Sequence, residues 1–312
     1  MSVMRIGNFQ ISRITTTGER APNALPTEEQ FRELKANGKC LFIGTLAARS
    51  GTRWLCDIVK SHDRAYAVTE RDKMPESFWR YVKYNELPID TDGIIRLLKG
   101  RIAADWLEND STLVFSPYFS HGFLELYHAL EPDKVLFGFA EPEFVVQSIY
   151  NKGMFEEDYS RRNFDLALGY QPEFADRWSH YFGRVVPRGE YYQTWQDLTR
   201  IGKIAWWVNR INMDICRQIQ DIPEDRIVLF DLSAADQNYE YYLGLAKLLD
   251  LSPILAKNKF LSLKTLTVKD SDNVKHQWTD AEKSEFDLHI QEWKRVYGEL
   301  APKAALIGSL QT

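Results

Sequence analysis

Lys39-Cys-Leu-Phe-Ile-Gly44 is followed by Thr45-Leu-Ala-Ala-Arg-Ser50 and then by Gly51-Thr-Arg-Trp-Leu55. The first stretch is a short unbroken apolar run, which predicts a strand buried on both faces of a parallel sheet. From Gly51 onward, Trp54, Leu55, Ile58 and Val59 recur at helical spacing. The order is therefore strand, loop, helix, with Thr45 to Ser50 as the loop. Working outward, Ala65 to Thr69, Leu113 to Phe115, Val135 to Phe139 and Arg226 to Phe230 predict four more strands, with helical segments between them. Such alternation predicts an α/β fold class, a parallel sheet flanked by helices.

The flanks complete the organisation. Residues 1–25 are read as an N-terminal arm, and Thr27 with Glu28 and Glu29 caps a helix through Ala36 that ends at Asn37-Gly38. Between Phe139 and Arg226 lies far more chain than the roughly 30 residues of a βαβ unit. That excess, about 150–215, predicts a helical insertion rich in Trp and Tyr within a single domain, 1–312. Within it, residues 201–215 have apolar residues at i, i+3, i+4 and i+7 and predict a long amphipathic helix feeding the fifth strand, with Trp206 and Trp207 in the core.

With 44% apolar and 27% charged residues, the chain has the composition of an ordinary globular protein. Its net charge of -5, without a polybasic block, argues against a sequence-independent grip on nucleic acid or an anionic membrane. The 3 cysteines, Cys40, Cys56 and Cys216, form no CxxC pair, so neither a disulfide framework nor a zinc cluster is expected. No His pair has metal-ligand spacing, and no metal is expected. Without an export signal or an apolar run long enough to span a membrane, the expected location is the cytoplasm.

The loop sits where an open α/β sheet binds ligands, at the carboxyl end of a strand and the start of the next helix. Backbone N–H groups and the positive helix end converge there on an anion. Arg49 adds a permanent bidentate cation, and Ser50 and Thr52 add hydroxyls. The alternative is a plain strand-to-helix turn with Ser50 or Thr52 as N-cap. A nucleoside-triphosphate P-loop requires Gly-Lys before the Ser or Thr. Here that Lys is missing, which disfavours a small-molecule kinase.

Arg49-Ser50-Gly51-Thr52, followed by Trp54-Leu55, resembles the 5′-phosphosulfate loop of sulfotransferases, although Ala48 replaces the usual Pro and Arg53 the second Thr. The segment from Lys134 to Ser148 is similar to the family's 3′-phosphate strand and helix: Pro142 and Ser148 match, while Ala140 stands where the family has Arg. Ile222 to Leu232 is similar to the family's late strand, and the likeness covers residues 39–250 in consistent order. The resemblance implies a P-loop-NTPase-like sulfotransferase fold and transfer of a sulfuryl group from 3′-phosphoadenosine 5′-phosphosulfate (PAPS) to a hydroxyl or amine of a small or soluble acceptor. The nucleotide product would be 3′-phosphoadenosine 5′-phosphate (PAP).

By that resemblance, Arg49 would neutralise charge on the departing phosphate, Ser50, Gly51, Thr52 and Arg53 would bind the 5′-phosphate, and Trp54 would stack on adenine. Periodicity alone is equally met by Trp54 as a core-facing residue beside Leu55 and Ile58. Ser148 would contact the 3′-phosphate, with Arg161, Arg162 or Arg184 replacing the missing Arg. Two residues could serve as the base that takes the acceptor's proton: Glu70, ending the second strand, and His121, following the third. Ala140 also motivates a second reading, a nucleotide-binding homologue without transfer activity.

Overall fold

The computed structural model describes residues 4–6, 9–11, 25–46, 51–156, 163–169, 176–235, 238–263 and 277–309. In the N-terminal arm, β1 (Met4–Ile6) pairs antiparallel with β2 (Phe9–Ile11). The sheet consists of β3 (Cys40–Leu46), β4 (Ala65–Thr69), β5 (Ser111–Phe115), β6 (Lys134–Phe139) and β7 (Ile227–Asp231). Its order is β4-β5-β3-β6-β7, and every pairing is parallel. All five predicted strands are present. The central one runs two residues past its predicted end, because Thr45 and Leu46 pair with Phe137 and Gly138 of β6.

The connection from β3 to β4 leaves toward one sheet edge, and those from β5 and β6 leave toward the other. Right-handed crossovers then put the intervening helices on opposite faces. On one face lies the helix Thr52–Lys60, with Tyr239–Leu248 and Lys257–Ser262. Trp54 stacks on Phe230 there and meets Phe260 edge-on. The other face carries Asp92–Trp106, Phe123–Leu130, Pro142–Asn151 and Arg200–Ile219.

Outside that layer Glu28–Ala36 packs on Asp92–Trp106, whereas the long helix Asp280–Ala305 lies on the sheet beside Arg200–Ile219, its Trp293 meeting Phe137 and Phe139 of β6. Glu28–Ala36 begins with a capping box: the Gln30 backbone N–H donates to the Thr27 hydroxyl, and the Thr27 N–H donates to the Gln30 side chain. The helix Arg200–Ile219 is less an insertion than part of the core. Its buried row Ile204, Val208, Ile211 and Ile215 explains why. The extra chain before it holds Phe164–Ala167, Arg177–Gly183 and Tyr191–Gln196. Among the described residues, no helix is long and apolar enough to cross a membrane.

Candidate functional site

β3 and β6 are neighbours whose connections diverge, and ligands of open α/β sheets bind outside the carboxyl ends of such strands. Gly51 opens the following helix in the left-handed region, with φ 87° and ψ 16°. It is the N-cap itself, in place of Ser50 or Thr52, and among the described residues no side chain caps the turn. The first N–H groups of an α-helix have no acceptor within it, and an anion at such a turn can supply one. A side chain at Gly51 would be strained by the positive φ and would force Leu232 to shift, since a Cβ there would lie 2.6 Å from Leu232 Cδ1.

Thr52 is half-buried and Arg53 exposed on the first turn. Arg49 and Ser50 lie outside the described residues, as do Arg161 and Arg162. Trp54 is 1% exposed, held between Phe230 and Phe260. The adenine-stacking role implied for it gives way to the core role that its spacing allowed, because no face of the ring is open. Ala140 is buried at the end of β6, and Ser148 is half-buried on the helix Pro142–Asn151.

A cavity of about 110 Å³ lies beside the carboxyl ends of β4 and β5, lined by Glu70, Arg80, Pro117, Tyr118, Ile149, Lys152, Met154, His180, Gly183, Arg184 and Trp207. Glu70 directly follows β4, with φ 49° and its N–H donating to the Phe115 carbonyl at 3.0 Å. Arg184, one of the three substitute cations expected from sequence, is 6% exposed in the cavity wall. Burial, reinforced by Arg184, pushes the His180 imidazole down to about 4, so it is neutral at pH 7.

Arg80 enters the cavity from the helix Lys73–Tyr84 and is 2% exposed. Its Nη1 donates to the Gly183 carbonyl at 3.0 Å, and its guanidinium lies over the Tyr118 ring, 5.0 Å from the centroid. Nε and Nη2 have no hydrogen-bond partner, and no carboxylate pairs with it among the described residues. Burial pushes its pKa down to about 10 against the opposing pull of Tyr118 and Glu70, with Arg184 lowering it further.

One turn earlier, Glu76 is fully buried and accepts from Ser116 Oγ at 2.6 Å and from the Asp72 N–H at 3.0 Å. Burial raises this carboxyl to about 7 despite the Ser116 bond. Sequence reasoning passed over both residues. The available signal was their position: Arg80 stands in the row Ser77, Arg80, Tyr84, which shares the buried face with Trp79.

His121 is elsewhere. It lines a separate depression with Tyr84, Arg188, Arg210 and Asp214. Nε2 lies 2.8 Å from Asp214 Oδ2 and Nδ1 3.1 Å from Ser120 Oγ. Burial lowers the pKa of this 7% exposed ring, with Asp214 opposing. A neutral imidazole donating from Nε2 to Asp214 and accepting at Nδ1 satisfies both partners. Glu70 and His121 therefore do not share a cavity.

No family model and no curated protein matches the chain.

Proposed function

We propose that the protein is a sulfotransferase, moving a sulfuryl group from PAPS to a hydroxyl or amine of a small or soluble acceptor. The observation that supports this most is the helix start at Gly51, capped by no described side chain and set after the central strand on the edge where Glu70 lines a cavity. The residues suit the 5′-phosphosulfate: Gly51, Thr52 and Arg53 offer first-turn N–H groups, and Arg49 and Ser50 precede them in sequence. They do not suit the family's grip on the 3′-phosphate at Ala140, which leaves Ser148 and cations from elsewhere.

The donor supplies an activated sulfur. As an acceptor oxygen or nitrogen bonds to it, Glu70 takes the acceptor's proton and the bridging S–O bond to the 5′-phosphate breaks, releasing PAP. Arg49 neutralises the charge that grows on that phosphate, an interaction strongest in the transition state. Charge neutralisation and alignment carry the chemistry, by analogy with loose phosphoryl transfer, so no metal is assigned. The three cysteines, all free, suit a reducing compartment such as the cytoplasm.

Ala140 favours one other reading, a nucleotide-binding homologue that transfers nothing. Melting in the presence of PAP with EDTA, compared with ATP and Mg²⁺, tests the nucleotide assignment. A ligand at about 100 times its Kd adds about 2.7 kcal/mol to stability. A clear upward shift with PAP is expected; a shift with ATP and Mg²⁺ alone would overturn the assignment.

A further inference from the structure

We propose that the acceptor is an anion, a small molecule with an apolar or aromatic body, a reacting hydroxyl or amine at one end and a carboxylate or sulfonate at the other that pairs with Arg80. This inference rests on the sulfotransferase reading and deepens it by naming the acceptor class.

A buried charge without a partner is costly, and folded chains pair such groups or bind ions with them. Arg80 is 2% exposed, and two of its three side-chain nitrogens have no hydrogen-bond partner. Both belong to a planar guanidinium, which matches carboxylates and sulfonates. Arg184, 6% exposed, lines the same cavity and repels Arg80, a repulsion that a bound anion relieves. Trp207, Met154 and Tyr118, each buried, supply walls for a ring or chain.

Glu70 is the single carboxylate lining this cavity among the described residues. An acceptor with its anion on Arg80 sits in the cavity that Glu70, the proposed base, also lines. The nucleotide's 3′-phosphate is a poorer guest. Neither Ser148 nor Ala140, the positions that correspond to the 3′-phosphate segment, lines this cavity.

The experiment uses calorimetry on the full chain saturated with PAP, with 4-hydroxyphenylacetate and its neutral amide, 4-hydroxyphenylacetamide, as probes. The acid is expected to bind at least about tenfold more tightly than the amide, as a charge-assisted fork implies. Arg80→Gln should erase that preference while leaving the melting temperature of the ligand-free protein unchanged or higher, since it removes an unpaired buried charge. A merely structural Arg80 would do the opposite, losing stability and keeping the preference.

Should Arg80→Gln not fold, Arg80→Lys decides: losing the fork should weaken acid binding and spare amide binding, and equal acid affinity in the two proteins would overturn the proposal. Equal binding of acid and amide to the wild type, or binding of neither, would also overturn it. PAP binding without acid preference sinks this inference alone, whereas failure of PAP to bind sinks the sulfotransferase reading.

Discussion

Glu76 and Arg80 stand one turn apart on the buried face of one helix, and their surroundings push each toward its neutral form. For Glu76 the folded carboxyl titrates near 7, above its ordinary 4.5. The folded state therefore holds a proton that the unfolded chain has released between those values. That contribution to stability is fully present below pH 4.5 and is lost as pH rises through about 7. The linked loss is on the order of 3 kcal/mol. Glu76→Gln, which carries no charge, should melt higher than wild type at pH 8, with the difference shrinking toward pH 5. A parallel pair of melting curves across that range would refute this. Neither residue was legible as a site residue from sequence, because a charged side chain on an amphipathic helix reads as solvated unless its place in the apolar row is checked.

The turn from β3 into the helix Thr52–Lys60 is the element on which the nucleotide assignment stands. Its Gly51 needs a left-handed backbone, costly for any residue with a Cβ, and has Leu232 directly against it. Gly51→Ala should lower unfolding stability by about 1–3 kcal/mol in urea titrations and weaken PAP binding, because the helix start must shift. Wild-type stability and PAP affinity in this variant would show that the turn is not under that constraint.

At this scale the sequence was largely readable. Apolar runs mark the strands, most plainly β3, β5 and β6, which are buried on both faces and leave no alternation to disguise them. Thr45 falls in the predicted loop, yet it is fully buried and paired with Phe137. The strand order β4-β5-β3-β6-β7 was not readable, because periodicity is a local signal and pairing is not. The core role of the helix Arg200–Ile219 was visible in its spacing, but the end of the inserted chain before it was not.

Across the whole molecule, an acidic chain of net charge -5 keeps several cationic side chains, two of them almost completely buried, around one cavity at the sheet's carboxyl edge. The proposed donor site at Gly51, base at Glu70 and anion clamp at Arg80 form the arrangement that we assign to sulfuryl transfer. The most direct test measures PAP released from PAPS in EDTA, with and without 4-hydroxyphenylacetate, for wild type, Glu70→Gln and His121→Asn. Release that depends on the acceptor, falls by about 10²-fold or more in Glu70→Gln and changes little in His121→Asn is the predicted result. Release that is no faster with the acceptor, or that persists in Glu70→Gln, would contradict it.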